Sequence, residues 1–165
     1  MSIKVYPITL GIGGGTSSGK TTLAKQLCAV LPNCTVVHQD HYWTDPEECI
    51  IHPIYQQPDL EDPRTAITWP LFRAELKKIK DRTGHSVTLE AAGEPGNSQQ
   101  DRTETDISTE DFGNLSDETI LEWVQRFHDL DEAWKSRGML LKWYIVEGWH
   151  LYYDSVGVDV GCEPS

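Results

Sequence analysis

One motif, Gly14 to Thr21, constrains the fold of this 165-residue chain more than any other feature. It reads Gly-Gly-Thr-Ser-Ser-Gly-Lys-Thr and fits the pattern G-x-x-x-x-G-K-[ST] at every position. In such a loop the glycines let the backbone fold around phosphates, the lysine reaches the outer phosphates and the threonine hydroxyl ligates magnesium. The motif therefore predicts a strand, a glycine loop and a helix that bind ATP or GTP. The predicted nucleotide-binding residues are Gly14, Gly15, Thr16, Ser17, Ser18, Gly19, Lys20, Thr21 and Thr22.

The residues around the motif have the pattern that it requires. Ile3 to Ile12 is rich in β-branched and apolar residues, which predicts a buried first strand. After Gly19, apolar residues recur on one helical face until Pro32-Asn33 ends the helix. Thr35 to His38 is a short β-branched run, which predicts a second strand.

Two further helices and a third strand are predicted downstream. Apolar residues recur at helical spacing over residues 65–82, and again between a cap at Ser116 and a stop at Gly138. Met139 to Val146 is a third strand that ends at Glu147-Gly148. Strands alternating with helices indicate an α/β protein, a three-layer P-loop NTPase fold with a parallel sheet, in one domain over residues 1–165.

Residues 84–114 interrupt this alternation. Gly, Ser, Gln, Thr and acidic residues predominate there, and large apolar side chains are almost absent from residues 91–107. Such a composition predicts a disordered, acidic insertion.

Charge and hydropathy exclude several classes of partner. A net charge of -12 repels nucleic acid and anionic membrane surfaces, so any phosphate must be held by a specific site. No apolar run approaches the roughly 20 residues that span a bilayer, and the amino terminus has no leader pattern. The four cysteines are scattered, as expected for reduced thiols. We expect a cytoplasmic protein, with the nucleus not excluded.

Two acidic residues follow predicted strands. Asp40 comes directly after the second strand and Glu147 ends the third, so in a parallel sheet both lie beside the phosphate loop. Phosphoryl transfer needs a carboxylate that accepts a hydroxyl proton or holds magnesium, and either acid suits these roles. On these residues alone an ATPase, a GTPase and a kinase all stay open. None of the histidines has the spacing of a transition-metal site.

Several segments together resemble the nicotinamide riboside kinases, a family within the uridine kinase-like P-loop kinases. The similar segments are Gly11 to Leu23, Leu31 to Cys34 with Gln39-Asp40, Asp62 to Pro70, which is similar to the fungal branch, and Ile145 to Gly148. The resemblance covers residues 3–153, apart from the acidic insertion.

This resemblance implies transfer of the γ-phosphate of ATP to the 5′-hydroxyl of nicotinamide riboside, which gives nicotinamide mononucleotide. It implies that Asp40 and Lys20 are catalytic and that magnesium binds at Thr21, Asp40 and Glu147. Trp43 falls where the family places an aromatic ring against the cationic nicotinamide. Asp62 matches an acid that binds ribose hydroxyls, while Glu61 stands where relatives can carry an aromatic residue. The implied substrate-binding residues are Asp40, His41, Tyr42, Trp43, Glu61 and Asp62.

Two alternatives to this assignment stay open. A uridine kinase-like enzyme shares most of these motifs, and a nucleotide-binding protein without catalytic activity shares the phosphate loop. A guanine-reading Asn-Lys-x-Asp sequence does not follow the loop, which disfavours a GTPase.

Residues 154–165 depart from the family. Kinases of this type continue after the third strand with further strands and an arginine-bearing lid, whereas these residues have no helical or lid pattern. We therefore expect an incomplete fold in which residues 3–12 form an uncovered apolar edge. Such an edge favours self-association.

Overall fold

The computed structural model describes residues 2–83, 85–88, 112 and 115–153 of the chain. The regular elements within these ranges are β1 (Ser2–Gly13), α1 (Lys20–Val30), β2 (Cys34–His38), α2 (Trp69–Asp81), β3 (Ser86–Thr88), α3 (Asp117–Lys135) and β4 (Met139–Gly148). Short 3-10 turns cover Gln39–Tyr42 and Pro46–Glu48. The predicted tail at 154–165 and most of the predicted insertion lie outside the described residues.

The sheet has the strand order β2-β4-β1-β3. β4 pairs in parallel with β1 along its whole length and with all of β2, so three parallel strands form the centre. Their carboxyl ends meet at one edge, where His38, Glu147 and Ile12 lie in register. The predicted α/β fold with a parallel sheet is confirmed.

Helices pack on both faces of the sheet. Ile145, on one face of β4, is buried with Ala24 and Leu31 of the α1 region. Val146, on the opposite face, is buried with Ile67 and with Phe72 of α2. Successive residues of a strand point to opposite faces, so two adjacent β4 residues belong to two separate core clusters. This arrangement produces the three layers that the sequence predicts.

The second helix begins later than predicted, at Trp69 and not near residue 65. Ile67 forms an isolated antiparallel bridge with Trp43, and the two residues before it lie in a turn and a bend, so this segment is not helical. Pro70 then occupies the first turn of α2, where a missing N–H costs nothing. A long-range pairing, invisible in local periodicity, sets the start of this helix.

A fourth strand was not predicted. β3 lies within the predicted insertion and pairs antiparallel with Ser2, Ile3 and Lys4 of β1. We expected β1 to form an uncovered edge over residues 3–12, and this expectation was wrong at the amino-terminal end of the strand. A strand can pair through its backbone without apolar side chains, so the polar composition of the insertion did not reveal β3. Along the rest of this edge the described residues supply no strand partner to β1, although the Tyr152 hydroxyl donates to the Gly11 carbonyl at 3.2 Å. Self-association stays a prediction.

None of the described helices is long and apolar enough to cross a membrane. Cys28, Cys34 and Cys49 are free thiols.

A buried acid fixes α3 to the sheet. Asp131 is 2% exposed, pairs with Lys135 at 2.8 Å and accepts from the Asn33 side chain at 3.3 Å. Asn33 lies in the turn between α1 and β2 and also donates to the Leu141 carbonyl of β4. One carboxylate thereby connects three elements of the fold.

Asp131→Ala is expected to lower the free energy of unfolding by about 1–3 kcal/mol, because it removes the bonds that Asn33 and Lys135 make to a buried carboxylate. Urea denaturation measures the change. Asp129→Ala, an exposed position on the same helix, is the control and should change stability by less than about 0.5 kcal/mol. Equal effects of the two substitutions would contradict the role given to Asp131.

Candidate functional site

The phosphate loop connects β1 to α1 in the geometry that the motif requires. Gly19 has a φ of 84° and Ser17 a φ of 60°, so the loop uses left-handed backbone at two positions. The positive φ at Ser17 is costly for a residue with a side chain, and such strain concentrates at ligand-binding loops. Residues 15–19 are exposed, and the loop is therefore open to a ligand.

The amino terminus of α1 presents free backbone donors to this loop. The Leu23 N–H bonds to the Gly19 carbonyl at 2.9 Å, and no side chain caps the helix. The N–H groups of the first helical turn, at Lys20, Thr21 and Thr22, have no acceptor within the helix. Together with the helix dipole they favour an anion such as a phosphate.

Glu147 lies beside the loop, as predicted. Its carboxylate is buried at the end of β4, where the residue is 1% exposed. The Thr21 hydroxyl donates to Oε2 at 3.2 Å, and Nδ1 of His38 lies 2.6 Å from Oε1. Two strand ends and the first turn of α1 thus converge on one carboxylate.

Asp40 lies in the 3-10 turn that follows β2, two residues beyond His38. Its side chain is exposed, as is that of His41, whose ring centroid lies 5.2 Å from that of His38. The turn therefore places Asp40 just beyond the carboxyl end of β2, at the sheet edge that carries the phosphate loop.

Gln39, in the same turn, is fully buried and was not singled out in the sequence. Its Oε1 accepts from the His150 backbone N–H at 2.9 Å, while its Nε2 has no partner among the described residues. Gly148 packs directly against this side chain, and a methyl group at that position would overlap it. Gln39 and Gly148 thus hold the ends of β2 and β4 close together.

The two predicted aromatic substrate residues have different surroundings. Tyr42 packs its ring against Phe72 at 5.2 Å, and burial raises the pKa of its hydroxyl. Trp43 is 38% exposed, and its backbone is held by the bridge to Ile67. Trp43 is therefore free to contact a ligand, whereas Tyr42 supports the turn from the core side.

A cavity of about 390 Å³ lies near this turn and includes the predicted residues Glu61 and Asp62. Its remaining lining residues are His52, Asp59, Pro63, Arg64 and Tyr153. The Arg64 guanidinium donates to both Asp62 oxygens and holds the pKa of that carboxyl below its usual range. Three carboxylates and one guanidinium line the cavity, so the excess of negative charge favours a cationic ligand.

His150 connects the cavity to the strand ends. Burial lowers the pKa of its imidazole, while the charges of Asp62 and Glu61 act in the opposite direction. Its backbone bonds to Gln39, which directly precedes Asp40. Segment 148–150 therefore contacts the phosphate loop, through the bond from the Gly14 N–H to the Gly148 carbonyl at 3.4 Å, and lies close enough to the two acids for their charges to act on His150.

The donor set beside the loop fits magnesium that is bound together with nucleotide. A hydroxyl and a buried carboxylate are hard oxygen ligands, and magnesium in such sites takes one or two carboxylates plus phosphate oxygens. No three His, Cys, Asp or Glu side chains within the described part of the chain cluster closely enough to hold a metal on their own. The phosphates of a nucleotide would complete the coordination.

Comparison with known proteins identifies similar sequences. No family model matches the chain. It is 43% identical to mouse nicotinamide riboside kinase 2 over 44 residues, which is 27% of this chain and 23% of the relative. It is 32% identical to nicotinamide riboside kinase from Saccharomyces cerevisiae over 81 residues, covering 49% and 33% of the two chains. Uridine kinase from Borrelia hermsii is 35% identical over 75 residues, covering 44% and 34%.

These matches confirm the resemblance to nicotinamide riboside kinases and uridine kinases that the motifs indicate. The aligned parts span between about a fifth and a third of the length of the curated relatives.

Proposed function

We propose that the chain binds ATP with magnesium and transfers the γ-phosphate to the 5′-hydroxyl of nicotinamide riboside. One observation carries this proposal: the Thr21 hydroxyl of the phosphate loop lies 3.2 Å from the buried Glu147 carboxylate. A loop that only bound phosphate would not need a desolvated carboxylate beside it, since such a group repels anions. A cation between the carboxylate and the phosphates resolves that repulsion.

Each residue has a role that follows from its position. Lys20 and the free N–H groups at the start of α1 hold the outer phosphates. Thr21 and Glu147 would hold magnesium, which would supply positive charge to neutralise the phosphates during transfer. Asp40, exposed at the end of β2, accepts the proton of the attacking hydroxyl.

The substrate assignment rests on charge. Nicotinamide riboside carries a cationic ring, whereas uridine is neutral. Asp59, Glu61 and Asp62 line a cavity that attracts a cation. Trp43, which is not among the residues that line this cavity, has an exposed aromatic ring, and such a face also attracts a cationic ring. The Borrelia relative makes uridine the second candidate, since its alignment covers a larger share of this chain than that of the mouse relative.

Purified protein with magnesium and ATP is expected to phosphorylate nicotinamide riboside about tenfold more efficiently than uridine, in terms of kcat/KM. Chromatographic separation of the mononucleotide products measures both rates. A protein carrying Lys20→Ala is the control for contaminating kinases. A preference for uridine would overturn the substrate, and transfer to water alone would overturn the kinase assignment.

A further inference from the structure

We infer that His38 is a positioning residue for magnesium, one that holds Glu147 with a single carboxylate oxygen turned toward the phosphate loop. This inference rests on the proposed function, because it assigns a role within the same site. Neither the sequence motif nor the spacing of the histidines points to His38.

The register of the sheet produces the contact. His38 and Glu147 are Cα partners in the parallel pairing of β2 with β4. Each is the last or next-to-last residue of its strand, so the pair lies at the carboxyl edge, beside the loop. Directly opposed side chains project on the same face of a sheet. The imidazole therefore meets the carboxylate with little freedom to turn away.

The two carboxylate oxygens have different partners. Nδ1 of His38 lies 2.6 Å from Oε1, and the Thr21 hydroxyl lies 3.2 Å from Oε2. A carboxylate can only accept, so Nδ1 must carry the hydrogen and donate it. The shorter bond commits Oε1 to the histidine and leaves Oε2 as the oxygen that faces Thr21 and the phosphate loop.

Burial makes this arrangement consequential. Glu147 is 1% exposed, so in the intact protein its carboxylate is oriented by protein partners and not by bulk water. Residues that orient a metal ligand through a hydrogen bond typically change metal affinity by about 10- to 100-fold when removed. Orientation by His38 would affect magnesium binding in particular, whereas a purely structural contact would affect folding and all ligands alike.

The test uses three variants: His38→Ala, His38→Asn and His128→Ala. Asparagine retains a side-chain N–H donor near the position of Nδ1, and His128 is an exposed histidine on α3. The Mn²⁺ affinity in the presence of ADP is measured by electron paramagnetic resonance, and the ADP affinity in EDTA is measured by calorimetry. Thermal unfolding is recorded for each variant.

We expect His38→Ala to weaken Mn²⁺ binding by about 10- to 100-fold while the ADP affinity in EDTA stays within about twofold of wild type. His38→Asn should recover most of the Mn²⁺ affinity, and His128→Ala should match wild type. Unchanged Mn²⁺ affinity in His38→Ala, an equal loss with and without metal, or a folded His38→Asn protein without recovery would each overturn the inference. Wild-type protein that binds no ADP under either condition would overturn the proposed function and this inference with it.

Discussion

Replacing Lys20 by alanine is expected to weaken the binding of magnesium-ATP by roughly 10- to 150-fold. Lys20 is the first residue of α1 and the lysine of the phosphate-loop motif, so the proposed function places its ammonium group at the outer phosphates. The chain has a net charge of -12 and offers no compensating field. Losing a hydrogen bond between charged groups costs about 1.5–3 kcal/mol, or roughly 10- to 150-fold in Kd.

Calorimetric titration with ATP and magnesium measures this loss. Lys25→Ala is a matched control, because Lys25 is exposed on the same helix, outside the motif. Its removal should leave Kd within about twofold, since charges on exposed side chains are largely screened. An unchanged ATP affinity in Lys20→Ala would show that the loop does not hold phosphates and would contradict the proposed function.

Local pattern was sufficient to predict the three parallel strands and the helix that follows the loop. β-branched runs that end at glycine or at acidic residues mark buried strands, and the motif itself requires the strand-loop-helix order. Ser116 and Gly138, predicted as helix signals, do flank α3: the Ser116 hydroxyl accepts from the Thr119 N–H, and Gly138 has a φ of 74°. Each of these features depends on neighbours within a few residues.

Features that depend on distant pairing were missed. The start of α2 follows from the bridge between Trp43 and Ile67, and β3 is a three-residue strand within a polar segment. The contact between His38 and Glu147 joins residues 109 positions apart, and only the register of β2 with β4 brings them together. The sole sequence signal for it is that His38 directly precedes Gln39-Asp40 at a predicted strand end.

The candidate site likewise contains residues that local sequence pattern predicts and a cavity that depends on distant contacts. The motif predicts every residue of the loop between β1 and α1, and parallel strand ends place Glu147 beside that loop. The acidic cavity needs the loop between β2 and α2 to fold back, which brings His52 close to Arg64 and Tyr153. No periodicity encodes that loop, whose conformation depends on bonds such as that from the Trp69 indole to the Pro63 carbonyl at 2.7 Å.

Asp40→Asn is expected to lower kcat for nucleoside phosphorylation by about 10² to 10⁴-fold, the usual contribution of a general base. The amide keeps the shape of the side chain but cannot take up a proton from the substrate hydroxyl. Asp45→Asn is the control, because Asp45 is exposed nearby and its capping bond to the Glu47 N–H can be made by asparagine. Single-turnover measurements follow the chemical step directly.

The same variant separates the two roles that the resemblance implies for Asp40. Glu147 is buried against Thr21, whereas Asp40 is exposed, so we assign the metal to Glu147 and the proton to Asp40. Asp40→Asn should then leave the Mn²⁺ affinity measured with ADP within about twofold, while Glu147→Gln should weaken it by about tenfold or more. A large loss of Mn²⁺ affinity in Asp40→Asn would make this residue a metal ligand, and an unchanged kcat would leave the reaction without its proposed base.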